Sequence, residues 1–159
     1  RRDRFPVARG TLLDRTSEGH AWSLGKQPPI KDLDFSAGPL RKSLGYTPEA
    51  TFPLSPGVDT SLTADINLRF PYFNFGDSQW AVLDGKLKIL PELDFDRLTH
   101  LLIMNDFRPK QIPALPADQK LLIILDGSIP FYRWEDWRKQ ADALSWRLHV
   151  TGEDGAYTP

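Results

Sequence analysis

The sequence predicts an α/β fold built on a mixed sheet, and three observations carry that prediction. Residues 98–104 and 121–125 are continuous apolar runs, the pattern of strands covered on both faces. Phe131, Trp134, Trp137, Ala141 and Leu144 recur at steps of three and four, which draws one apolar stripe along a helix. Further upstream, shorter segments alternate apolar and polar residues between turn residues, the mark of antiparallel hairpins. Strand, loop, strand, helix and strand, following a set of hairpins, make the α/β class.

In chain order, residues 5–8 and 11–14 are expected to be extended, residues 17–19 to turn and residues 20–24 to return. Residues 26–30 read as loop. A short helix is expected over residues 34–44, with Leu40 and Leu44 on one face and Gly45 and Pro48 ending it. Residues 54–63 are turn-rich, while residues 66–70 and 72–75 alternate well enough for strands. Residues 80–89 predict a hairpin, because Asp84-Gly85 is a strong signal for a two-residue turn. After Asp126-Gly127, Ser128 is placed to cap a helix whose first turn holds Pro130, and Arg133, Asp136, Lys139 and Gln140 take its polar faces. Residues 147–150 read as a closing strand and residues 152–155 as a turn. Fourteen prolines punctuate the chain and favour short elements with firm turns.

Composition bounds the chemistry. The 159 residues suit one domain spanning 1–159, and 40% hydrophobic residues suffice for a packed core. Twenty Lys and Arg against 21 Asp and Glu leave a net charge of −1, which argues against nucleic-acid or anionic-lipid binding driven by overall charge. With no cysteine there is no disulfide, thiolate metal site or cysteine nucleophile. No stretch approaches the roughly 18 consecutive apolar residues of a membrane span. The chain starts at Arg1 and holds Met104 as its one methionine, so it is expected to be a soluble domain of a longer protein.

Each chemical candidate has a competing structural explanation. His20, His100 and His149 lie far apart in sequence, and zinc hydrolases need histidines at short fixed spacings. Carboxylates are plentiful, but Asp84-Gly85 and Asp126-Gly127 are explained by turns, and Asp94 and Asp96 flank a loop. Ser128 stands at a strand-to-helix turn, yet Asp-Gly-Ser-Ile-Pro lacks the second glycine of a nucleophile elbow. There is no phosphate-binding glycine loop. Trp134 and Trp137 beside Arg133 and Arg138 could stack on bases, but both tryptophans lie on the apolar stripe and are expected to be buried.

The last third of the chain carries a resemblance. Asp94-Phe-Asp-Arg-Leu-Thr-His-Leu-Leu-Ile-Met-Asn105, Leu121-Leu-Ile-Ile-Leu-Asp-Gly-Ser-Ile-Pro130, the Trp134 and Trp137 helix, Leu144 and Gly155-Ala-Tyr157 together resemble the C-terminal soluble domain of ComEC-type competence proteins in their Bacteroidetes form. The Phe75-Gly76 region, the Asp84-Gly85 turn and residues 40–52 fit more loosely. The resemblance implies a domain of an inner-membrane channel for incoming DNA, on its periplasmic face. It also implies a degenerate metallo-β-lactamase-like half-fold with a mixed sheet, hairpins and a few helices. Residues 39–45 are similar to the helix preceding the metal loop of that fold. Where its histidine loop would follow, residues 55–60 keep only Asp59 as a ligand type, and where a later His-His-Gly-Ser would sit the chain reads Asn105-Asp-Phe-Arg108.

The resemblance therefore implies a scaffold without its metal ligands, with no catalytic residue and no cofactor. Without imidazole ligands nothing lowers the pKa of a zinc-bound water, the step such hydrolysis requires. The expected role is that of an accessory or interaction domain for the transmembrane channel portion of the same protein, for other uptake components, or for single-stranded DNA held weakly. Arg41, Lys42, Lys86, Lys88, Arg133, Arg138 and Lys139 are the candidate DNA contacts. One alternative is a nuclease using Asp59, Asp84, Asn105 and Asp106 around Mg²⁺ or Mn²⁺. Another is a generic interaction module of an unrelated membrane protein.

Overall fold

A computed structural model describes residues 12–17, 20–25, 42, 45, 47–64, 66–112, 120–155 and 157. The expected strand at 5–8 and nearly all of the expected helix at 34–44 lie outside them, as does Arg41. The chain divides into two compact units, residues 1–53 and 54–159, each described by itself.

In the first unit, β1 (Leu12–Ser17) and β2 (His20–Gly25) form the expected antiparallel hairpin, and β3 (Ala50–Phe52) adds in parallel to β2. Ala21, Trp22, Ser23 and Leu24 of β2 are all buried. His20 is exposed, pairs with Glu49 at 2.6 Å and stacks on Trp22.

The second unit is a seven-stranded mixed sheet in the order β10-β9-β8-β7-β6-β5-β4. Its first half is an antiparallel meander of β4 (Asp59–Thr63), β5 (Ile66–Arg69), β6 (Tyr72–Phe75) and β7 (Ser78–Asp84). The turn-rich reading of residues 54–63 holds for Ser55–Val58, where Gly57 takes φ +87°, but β4 follows as an edge strand with an irregular register. From β7 onward the pairing is parallel, through β8 (His100–Met104), β9 (Leu122–Leu125) and β10 (Arg147–Val150).

The hairpin expected at Asp84-Gly85 does not form. Both edges of β7 are already occupied, by β6 antiparallel and β8 parallel, so no returning strand has a place to pair. The Asp84 carboxylate instead accepts the Lys86 N–H at 2.9 Å, and the Gly85 N–H is donated to the Met104 carbonyl at 2.9 Å. The same two residues that mimic a hairpin signal thus close a side-chain turn against the neighbouring strand.

Register and alternation sort the parallel half into two faces. Ala81, Leu101, Ile123 and Leu148 lie in one row, and Leu83, Ile103, Leu125 and Val150 in the next, all on the face that packs against α1 (Phe131–Leu144). Trp137 is completely buried in that core, its indole N–H donated to the Phe107 carbonyl at 3.2 Å, and Trp134 packs on its margin. Trp134 is only half-buried, whereas the burial of Trp137 follows the expectation.

The ends of the apolar stripe do not. Phe131 is 76% exposed and Leu144 50%. Phe131 opens α1 and Leu144 closes it, and both side chains face solvent. Ser145 then ends the helix in the left-handed region at φ 55°. Residues 152–155, read as a turn, belong mainly to a one-turn helix, α2 (Thr151–Asp154), whose Asp154 carboxylate accepts the Val150 N–H at 2.8 Å.

The opposite face carries Trp80 and His100 side by side in register. Their rings stack at 4.2 Å and 6°. His100 Nε2 lies 2.9 Å from the Tyr157 hydroxyl and Nδ1 2.8 Å from Thr99 Oγ1, so both ring nitrogens are engaged. Burial, followed by the nearby Arg147 charge, lowers the His100 pKa and favours the neutral ring. His149 Nε2 lies 2.9 Å from the Gly155 carbonyl. All three histidines thus have structural partners, as the sequence reading expected.

Candidate functional site

In parallel α/β sheets, polar site residues collect where the strands finish at their C-terminal ends. Here β7 ends in Asp84, β8 runs into Asn105 and Asp106, and β9 runs into Asp126, Gly127 and Ser128. These residues bind one another. Asn105 Nδ2 donates to Asp84 Oδ1 at 2.8 Å, and the Asn105 backbone N–H donates to Ser128 Oγ at 2.7 Å. The Ser128 N–H donates to Asp126 Oδ1 at 2.8 Å, and the Ser128 hydroxyl donates to the same oxygen.

The backbone is shaped for this. Asn105 and Asp106 both take left-handed φ, at 56° and 57°, a conformation that Asn and Asp tolerate better than most residues. The turn they make crosses directly over Gly85, where an added Cβ would meet the Asn105 carbonyl oxygen at 2.1 Å and the Phe107 nitrogen at 2.7 Å. Both obstacles are backbone, so the strands would have to part. Gly85→Ala is therefore expected to destabilise the second unit by about 3 kcal/mol, read as a shifted urea midpoint. A loss under about 1 kcal/mol would show that this crossing can open freely.

Asp126 is the electrostatic centre of the cluster. Its Oδ2 is buried without a hydrogen-bond partner among the described residues. Burial raises its pKa from 3.8 to about 7, with the Asp84 charge adding to the rise and the Ser128 hydrogen bonds opposing it. Asp106 accepts from Arg133 Nε at 2.9 Å.

Of the four candidate metal residues, Asp84 and Asn105 meet, and Asp106 adjoins them in sequence while pairing with Arg133. Asp59 stands apart on β4, paired with Arg69 at 3.7 Å. Three strand spacings separate β4 from β7, roughly 14 Å. Among the described residues, no three of His, Cys, Asp or Glu converge in a way that could hold a metal ion. Ser128 does not cap α1. Pro130 occupies the N-cap position, and the Ser128 hydroxyl serves the Asp126–Asn105 cluster.

Asp126 and Ser128 are the members that the sequence reading passed over, because Asp-Gly reads as a turn and Ser before Pro as a cap. The available signal was their position directly after a buried parallel strand.

The candidate DNA contacts are scattered. Lys42 is exposed in the first unit, and Lys86 and Lys88 are exposed in the segment after β7. The helix contributes three more, all engaged with acids: Arg133 with Asp106 and Asp136, Arg138 with Glu153 and Asp154, and Lys139 with Glu135.

The second unit is thus an α/β domain with a half-antiparallel, half-parallel sheet and a self-bonded polar cluster at its parallel strand ends. A family model for the ComEC C-terminal domain matches residues 5–158. The chain belongs to that family, and so is a domain of a membrane protein of DNA uptake and competence. Searches of the curated proteins and of the solved structures give no match. No helix among the described residues is long and apolar enough to cross a membrane.

Proposed function

We propose that the domain is a non-catalytic accessory of the DNA-uptake channel, derived from a metallo-β-lactamase-like scaffold and carried on the periplasmic face. The observation that supports this reading is how the polar residues at the strand ends are used. Asp84 and Asn105 bind each other, and Asp126 is a buried carboxyl with a pKa of about 7. Asp106 pairs with Arg133 and Asp59 with Arg69, so each candidate metal residue is already engaged by another side chain of this protein. The proposed partners are the transmembrane part of the same protein, other uptake components, and single-stranded DNA bound weakly.

The competing reading, a Mg²⁺- or Mn²⁺-dependent nuclease, draws support from the same place in the fold, since Asp84 and Asn105 do converge there. Labelled single- and double-stranded DNA incubated with the purified domain and either metal separates the two. Intact DNA is the expected result, together with oligonucleotide binding that is weak and fades as salt rises. Metal-dependent cleavage that disappears in Asp84→Ala would establish the nuclease instead.

A further inference from the structure

Large apolar side chains rarely stand in water without a use when several share one region. Ile89 is 86% exposed, Phe131 76% and Tyr132 59%. All three belong to the second unit and to segments that leave the C-terminal ends of parallel strands. Ile89 lies five residues beyond the end of β7, and Phe131 six beyond the end of β9. Phe131 and Tyr132 are consecutive, edge to face at 6.0 Å, at the start of α1.

The chemistry around these residues discriminates between partners. Stacking on nucleic-acid bases needs free cations beside the rings. The nearest cation, Arg133, is held by Asp106 and Asp136 and lies over the Tyr132 ring at 5.3 Å. Ile89 is aliphatic and offers no stacking face. Lys86 and Lys88 precede it in the same segment, exposed and without an ion pair to any described residue. An aliphatic side chain that follows two free lysines, together with a Phe-Tyr pair, matches the headgroup region of a bilayer. There aromatic rings partition, and lysine stems lie along the acyl boundary with their charges in the anionic headgroups. Membership in a family of membrane-protein domains keeps such a bilayer close by, so millimolar affinity suffices once the domain is tethered.

We propose that the strand-end surface bearing Ile89, Phe131 and Tyr132, with Lys86 and Lys88, rests on the anionic lipid headgroups of the membrane that holds the parent protein. The contact is independent of whether the domain cleaves DNA.

Flotation of the 159-residue chain with phosphatidylglycerol-containing vesicles at roughly 5 mM lipid tests it, since that is the range a tether supplies. The wild type is expected to float with these vesicles and much less with pure phosphatidylcholine. Phe131→Ser with Tyr132→Ser is expected to lower the bound fraction about fivefold, and Lys86→Glu with Lys88→Glu about as much. All four side chains are exposed, and matching circular dichroism and urea midpoints verify that the variants fold. Flotation of the variants equal to wild type overturns the proposal, as does wild-type flotation at the level of lipid-free controls. Loss of binding to a labelled single-stranded oligonucleotide in the Phe131–Tyr132 variant, with vesicle binding unchanged, also overturns it and assigns the rings to DNA.

Discussion

Replacing Trp137 by Ala is expected to cost the second unit about 4 kcal/mol, a large share of the roughly 5–15 kcal/mol that holds an ordinary domain together. Trp137 is wholly buried where α1 packs on the rows led by Ala81 and Leu83. The loss has two parts. Removing the ring leaves a cavity, and the Phe107 carbonyl loses its 3.2 Å indole donor while remaining inside. Trp137→Phe separates them, keeping much of the volume but not the N–H, and should cost about half as much. Urea unfolding followed by fluorescence measures both. A Trp137→Ala loss below about 1.5 kcal/mol would mean that α1 is held on the sheet by something other than this contact.

Asp126 should make stability fall as pH rises, the reverse of the usual behaviour of a carboxylate. Its pKa is raised from 3.8 to about 7 by burial, so the folded protein holds this proton more tightly than the unfolded chain does. The contribution is therefore fully present below about pH 4, declines across the interval between the two values, and is level above about pH 7. Three units correspond to on the order of 4 kcal/mol at most. Asp126→Asn keeps an oxygen to accept the Ser128 N–H but cannot ionise. It is expected to be more stable than wild type at pH 8, by about 2 kcal/mol, with the difference shrinking toward pH 4. The wild-type-minus-variant difference, taken from urea titrations at several pH values, isolates this group from the other carboxyls. Parallel profiles for the two proteins would show that Asp126 ionises like an exposed one.

The parts of the fold that were legible in the sequence are those whose signal is carried by consecutive side chains. Residues 98–104 and 121–125 announced strands buried on both faces, and β8 and β9 lie in the middle of the parallel half. Trp134, Trp137 and Ala141 announced the inner face of α1, because a helix repeats its contacts within a few residues. What the sequence did not show depends on partners far along the chain. Asp84-Gly85 has the chemistry of a hairpin turn, and only the arrival of β8 alongside β7 makes it something else.

The site was less legible than the fold for the same reason. Asn105 was marked as a position where a ligand type is missing, but its bond to Asp84 joins residues 21 apart, and Ser128 reaches Asn105 across 23. Asp126 looks like a turn residue in the sequence. Its raised pKa comes from burial at the end of β9, which no local pattern encodes. Arg133, Arg138 and Lys139 looked like available cations, and each has an acidic partner brought close by the fold or by the helix itself.

The change of strand direction at β7 also sets an order of assembly during synthesis. Strands β4 to β7 pair with sequence neighbours through short turns, so a ribosome that has released residues 54–84 has supplied every partner the meander needs. The parallel half cannot close so early. β8 must find β7 across a fifteen-residue connection, β9 must find β8 across seventeen more, and β10 has no place until α1 has been made and folded back. Contacts between distant residues form slowly, because the connecting chain must be ordered first. Until the last of them form, the free edge of β7 is the point at which a nascent chain is most open to pairing with a neighbour instead of with itself.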